Sequence, residues 1–430
     1  MNASPTGRGT QLAVLRQQQF LRYSIARFCF GVGQGALQAT FGYHIIYHLG
    51  GSPLDLAWLG FARVVPQLSM ALYGGAFADT HNRKRIVVTA QAVPLLCAAV
   101  LAAASFSDAA SAPLIFGLVA MMGFAGAFSG PAQQALLPAL VPPESFQNAI
   151  TVNSTSQTFS QLCGPALLGL LLLVGGVSAS YLGSTLLMLV SVTLMMTLQP
   201  RAVAVPSRAI SWATVREGID FVRHRQPLLG TMTLDMFAVV FGGAQALLPV
   251  YAKMLGEEAV GYAILAGALP AGAAITSVVL VLLPPIHRLG RAMMVSVGIF
   301  AVVTIIFGAS RWFPLSVAAY FLVGLSDQVS VVMRQTTLQL GSPDHLRGRV
   351  SAVNQIFVGT SNQIGAMESG FLAAATSTTF AVVSGGFASL AVLGTVAATM
   401  RQLWVYTIDD LKRDAEADNA VAAANGATRT

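Results

Sequence analysis

The chain has 430 residues, of which 55% are hydrophobic and 10% charged, whereas a soluble globular protein carries roughly a quarter charged residues. That composition excludes an ordinary soluble domain and makes lipid the expected solvent for most of the chain. The formal net charge of +7 raises nucleic acid as a partner, but the basic residues sit in short connections rather than in one patch, which excludes that reading.

A spanning helix needs about 20 mostly apolar residues. By that length, helices are predicted near 24–47, 54–77, 86–106, 113–137, 148–174 and 178–198, and again near 227–251, 259–283, 291–310, 313–340, 350–374 and 379–400. The segment Met1 to Arg22 is polar and basic, and the apolar run after it outlasts a signal peptide without a small-residue cleavage pattern. Residues 1–23 are therefore expected to be a retained cytoplasmic tail. A six-helix bundle over 24–198, a linker over 199–226, a second bundle over 227–401 and a tail over 402–430 complete the division. Cys29, Cys97 and Cys163 all fall inside apolar stretches, so neither a disulfide nor a metal site is predicted.

The even count puts both termini on one side. Arg8, Arg16, Arg22, Arg83, Lys84, Arg85, Arg201, Arg208, Arg216, Arg223, Arg225, Arg288, Arg291, Arg347, Arg349, Arg401, Lys412, Arg413 and Arg429 share that side, against Lys253 and Arg311 on the other. Basic loops stay cytoplasmic, so both termini are predicted to be inside. In the linker, Trp212, Val215, Ile219 and Val222 recur at helical spacing opposite Arg216, Glu217, Asp220 and Arg223, predicting an amphipathic helix that anchors to the inner membrane surface. The acidic and basic run from Asp409 to Glu416 predicts a short polar helix, with disorder after it.

A repeat shows at an offset of about 200 residues. Pro143-Glu144 precedes the fifth helix as Pro343-Asp344 precedes the eleventh; Asn153 matches Asn354 one residue out of step, and Gly164 falls opposite Gly365.

Between the second and third helices runs Gly74-Gly75-Ala76-Phe77-Ala78-Asp79-Thr80-His81-Asn82-Arg83-Lys84-Arg85. Glycines remove side chains from a helix contact, and Asp79 can meet the positive N-terminal end of a neighbouring helix. This stretch resembles the loop signature of the major facilitator superfamily. The resemblance implies an all-α membrane protein with twelve transmembrane helices in two six-helix bundles, a secondary transporter whose gate involves Gly74, Gly75, Asp79, Arg83, Lys84 and Arg85. The equivalent loop of the second half, from Leu283 to Arg291, keeps basic residues but has no acid, so the gate is expected to be asymmetric. Gly164-Pro165-Ala166-Leu167-Leu168-Gly169 resembles the family's antiporter signature, with a Gly-Pro step that kinks the helix; Gly164, Pro165 and Gly169 carry it, while Ser160 and Leu168 depart from it. Gly117 to Ala135 lacks the arginine that many proton-coupled members carry in the fourth helix. Ala26-Arg27-Phe28, the Asp79 loop, the Gln133 to Pro142 segment and the His345 to Val350 loop are together most similar to the enterobactin-exporter and macrolide-efflux branch.

Charges in the membrane mark function, because each costs about 3 kcal/mol on insertion scales. Arg27, Arg63, Asp235, Asp327, Arg334 and Glu368 qualify. Asp327 falls near the middle of the tenth helix, where a lone carboxylate needs a partner or a proton, and is the first candidate for coupling. Arg334, seven residues on, shares its face about 10 Å away, too far for direct contact along the helix. Asn354, Ser361 and Glu368 form a polar stripe on the eleventh helix. Gln34 and Gln38 on the first and Asn153, Gln157 and Gln161 on the fifth form similar stripes, which either face a cavity or bond neighbouring helices. Asp235 on the seventh helix, and His44 and His48 near the outer end of the first, are weaker candidates.

The sequence has no phosphate-binding Gly-Lys-Ser/Thr motif, paired metal ligands or nucleophile elbow. No enzyme activity or cofactor is expected, and ATP is not the expected energy source. The expectation is a monomeric, proton-coupled exporter of an amphipathic small molecule, such as a siderophore or drug, in the inner membrane. The alternatives are an ion-coupled importer or facilitator of a polar metabolite on the same fold, and a non-transporting membrane receptor or scaffold.

Overall fold

The computed structural model describes residues 12–142, 145–201, 212–242, 244–284, 286–343 and 346–427. The chain divides into two compact units, Met1–Ala209 with Gly256–Gly267, and Ile210–Leu255 with Ala268–Thr430.

In the first unit a 3-10 turn, Leu12–Arg16, leads into α1 (Gln18–Tyr43), which ends in a π-helical turn, His44–His48. The first helix thus starts before the expected residue 24. Val14, Phe20 and Tyr23 are buried in one apolar cluster with Ile86, Val87 and Leu136, and that burial outweighs the polar residues between them. α2 (Pro53–Thr80) opens on a capping box between Ser52 and Asp55, with proline in its first turn, where the missing N–H costs nothing. α3 (Arg83–Phe106) is capped by Asn82, whose Oδ1 accepts from the Arg85 N–H at 3.2 Å. α4 is Ala112–Leu136.

The apolar run Phe146–Met196 breaks at Gly175 and Gly176 into α5 (146–174) and α6 (177–196). Gly176 has φ 65° and ψ −154°, a conformation only glycine adopts readily, and Gly183 packs on Leu171 as the chain folds back. α1 lies against both helices: Gly35 meets Gly164 of α5, and Gly33 lies under Ser184 and Met188 of α6. Without water to drive association, such close approach of small residues supplies the packing energy between helices in lipid.

The second unit opens with α7 (Trp212–His224), followed by α8 (Gln226–Phe241) and α9 (Leu248–Met254), which together make the seventh span. α10 (Ala259–Leu282) begins in the first unit and continues in the second. α11 (Leu289–Ala309), α12 (Phe313–Leu340), α13 (Arg347–Ala375) and α14 (Thr378–Thr399) complete twelve spans. Eight stretches are apolar enough to cross a membrane by composition alone, one of them holding both α5 and α6. In α1, α2 and α13 polar residues lower the mean.

α7 is amphipathic as expected, and on its apolar side Ile219 is half-buried while the side chains of Trp212 and Val215 lie outside the described residues. Val222 is buried, Gly218 packs against Arg349 and Val353 of α13, and Arg349 pairs with Glu217. The tail differs from expectation. After α15 (Arg401–Val405), α16 runs from Ile408 to Ala427, because the segment expected to be disordered is rich in alanine, the strongest helix former. α16 starts on a capping arrangement in which the Thr407 hydroxyl and N–H both donate to Asp410. Those two bonds hold the Asp410 carboxyl below its ordinary range. Leu411 is buried, and Arg225 pairs with Asp414 at 3.3 Å and with Asp418.

Candidate functional site

Among the described residues, an arginine-centred polar cluster lies within the spans of each unit. In the first, Arg27 of α1 donates through Nη1 to Gln133 Oε1 of α4, and Gln133 donates through Nε2 to Ser129 Oγ at 2.5 Å. Arg27 Nε is buried without a partner. The guanidinium is held by the neutral amide oxygen of Gln133 rather than by an acid.

In the second unit Arg334 of α12 and Asp235 of α8 form an ion pair at 2.8 Å, and each is at most 4% exposed. Arg334 Nε and Asp235 Oδ1 keep no further partner. Asp327 is half-buried near the middle of α12, and the charges of Asp235 and Arg334 both act on it. Its carboxyl nevertheless makes no ion pair or hydrogen bond with a described residue. The arginine seven residues on is therefore spent on another helix.

Asn354, Ser361 and Glu368 do form one stripe on α13. Asn354 is buried with Oδ1 unpartnered, the Ser361 hydroxyl returns to the Val358 carbonyl at 3.1 Å, and Glu368 accepts from Ser369 Oγ at 3.3 Å. On α1, Gln34 Oε1 is buried without a partner, while Gln38 is exposed. Arg63 is half-buried on α2 and has no polar partner among the described residues. His44 shares a 3.0 Å hydrogen bond with the Tyr181 hydroxyl, which ties the end of α1 to α6.

Around the loop signature, a Cβ on Gly74 would collide with the Ala127 carbonyl, so glycine sets the approach of α2 to α4. Gly75 and Asp79 lie on the last turns of α2, and their side chains are outside what the structure describes. Lys84 donates to the Met196 carbonyl at 2.7 Å, placing a cation on the negative C-terminal end of α6. Arg85 is exposed and Arg83 half-buried. Gly164 and Pro165 are buried, and a Cβ on Gly164 would stand 2.9 Å from Gly35 Cα. Gly169 packs on Ala263. Of the repeat markers, Pro143, Glu144 and Asp344 lie outside the described residues, as does His345 at the start of the loop before α13.

The pairing of Asp235 with Arg334, and the Gln133 acceptor for Arg27, are not evident from single-helix periodicity. The repeat contains a signal for them. Arg334 follows Gln133 by 334 − 133 = 201 positions, and Gly365 follows Gly164 by the same 365 − 164 = 201. Gly164 packs on the first helix of its unit, and Gly365 packs on Val239 and Val240 of α8, the first spanning helix of the other.

Twelve spans in two helical units, with paired and unpaired charges inside them, define a multi-pass membrane protein of transporter architecture. The chain matches the Major Facilitator Superfamily over residues 23–366 and belongs to that family. It is 27% identical over 311 residues to the enterobactin exporter EntS of Salmonella choleraesuis, covering 70% of this chain and 73% of that protein. It is 25% identical to the staphyloferrin A transporter of Staphylococcus aureus, where the match spans 42% of this chain and 44% of the relative. Among solved structures, the nucleoside transporter NupG superposes with a TM-score of 0.68 at 13% identity, over 89% of this chain and 99% of that one. A POT family transporter in complex with 5-aminolevulinic acid gives 0.66 at 10% identity, over 90% and 97%. These two share the fold.

Proposed function

We propose that this major facilitator protein is a proton-coupled exporter of an amphipathic small molecule, a siderophore or a drug, working as a monomer in the inner membrane with both termini cytoplasmic. The observation that carries the reading is Asp327, a carboxyl in the middle of a spanning helix whose nearby arginine is already neutralised by Asp235. An acid without an ion-pair partner at that depth is free to take up and release a proton as alternating access exposes it to each side. The names of the relatives support an exported siderophore, and the Gly164-Pro165 step of α5 supports antiport. Asp79, after Gly74 and Gly75, acts as the gate residue by engaging a helix N-terminus in one state and releasing it in the other.

The test is transport into everted membrane vesicles, with catecholate and carboxylate siderophores and hydrophobic antibiotics offered one at a time. Accumulation when the lumen is acidified, abolished by a protonophore, is expected for at least one of them. Accumulation indifferent to the gradient, or transport only in the opposite sense, contradicts the proposal.

A further inference from the structure

α11 presents Val295, Ile299, Val302 and Ile306 outward at helical spacing, each exposed by two-fifths or more. This apolar stripe is the face the helix offers to lipid. Beside it, α11 and α12 enclose a groove of about 400 Å³. Its floor is low because the facing residues are small: Ala292 and Ser296 on α11 and Ser326 on α12. Both serine hydroxyls are turned back onto their own helices, Ser296 to Met293 O at 2.8 Å and Ser326 to Leu322 O at 2.8 Å. The floor therefore offers carbon rather than polar groups to an occupant. Val295, Ile299 and Val329 form the walls.

The end of the groove is of opposite character. Arg288 precedes α11, Arg291 stands in its first turn, and both line the groove. Both are exposed, and neither forms an ion pair with a described residue. No acid lines the groove among the described residues. The loop carrying them is fixed in place, since the Ile408 N–H donates to the His287 carbonyl at 3.0 Å.

A cationic clamp at the membrane surface, continuous with an apolar furrow on a lipid-facing side, matches a ligand with an anionic head and a hydrocarbon tail. We infer that the groove between α11 and α12 is a binding site for an acidic phospholipid, whose phosphate lies between Arg288 and Arg291 and whose acyl chain runs over Ala292, Ser296 and Ser326. The site belongs to the second unit alone and is independent of the transported molecule.

The test uses the full chain, purified and reconstituted with phosphatidylglycerol or with phosphatidylcholine, then stripped with detergent and assayed for retained lipid by mass spectrometry. Wild-type protein is expected to keep phosphatidylglycerol in preference to phosphatidylcholine. Arg288→Gln with Arg291→Gln should lower retained phosphatidylglycerol about tenfold, given the attraction of each basic residue for an anionic surface. Ala292→Leu, which fills the floor and leaves both arginines, should lower it as well. Arg216→Gln with Arg223→Gln, which removes exposed cations elsewhere, should not. Equal retention by the Arg288/Arg291 variant and wild type overturns the assignment, as does an equal loss in the Arg216/Arg223 variant. Displacement of the lipid by inorganic phosphate alone, or equal retention of phosphatidylcholine by wild type, also overturns it.

Discussion

The two units treat the charges inside their helices differently. In the first, Arg27 on α1 is held from α4 by the amide of Gln133 and, behind it, by Ser129. In the second, the first and fourth helices of the bundle are again joined by a polar pair, but at the position 201 residues after Gln133 stands Arg334, and its partner is the acid Asp235. A neutral acceptor leaves the first cluster positively charged, whereas the ion pair cancels both charges in the second. The acids left over inside the spans, Asp327 and Glu368, both belong to the second unit. Repeating a bundle has thus preserved the place of a contact while changing its charge.

The largest effect expected from breaking this contrast is at Arg334. Arg334→Gln strands Asp235 as a buried acid and should cost about 3–5 kcal/mol of stability, read as a lower thermal midpoint of the purified protein. Asp235→Leu combined with Arg334→Met should recover most of that loss, because a well-packed apolar pair replaces a buried ion pair at little cost. A single variant as stable as wild type would show the pair to be incidental. The repeat itself is sharpened by Gly164→Leu and Gly365→Leu. Each forces a side chain into a helix backbone and should cost about 1–3 kcal/mol; a large loss at one site with none at the other would mean that the two glycines are not equivalent. Arg27→Gln should be milder, about 1 kcal/mol, because the amide it leaves behind is uncharged and still bonded to Ser129. Destabilisation by Arg27→Gln equal to that of Arg334→Gln would erase the contrast between the units. Asp79→Asn should leave the thermal midpoint unchanged and slow transport, since it removes a charge without altering shape. Wild-type flux in that variant would rule out the gating role.

Most of the spans were legible because they are apolar runs of the right length, and even the α5–α6 break was marked by Gly175-Gly176. The start of α1 was not, because Phe20 and Tyr23 are buried by contacts with α3 and α4 that local polarity conceals. The tail was read from its charges, while the capping arrangement at Thr407 and the alanines beyond extend α16 to Ala427. For the candidate site, helical periodicity identified the charged residues and correctly separated Asp327 from Arg334 along α12. It could not supply Asp235 as the partner, since that contact joins helices 99 residues apart, 334 − 235. Such pairing depends on tertiary packing, for which the only local trace is the 201-residue repeat.

The central claim is that Asp327, left unpaired by the Asp235–Arg334 bond, carries the coupling proton. Asp327→Asn keeps the shape, fixes the side chain neutral and leaves the ion pair intact, so folding should be unaffected. Purified Asp327→Asn protein in liposomes should therefore lose pH-driven accumulation of substrate while retaining exchange of labelled for unlabelled substrate at equal pH. PH-driven accumulation at the wild-type rate would contradict the account.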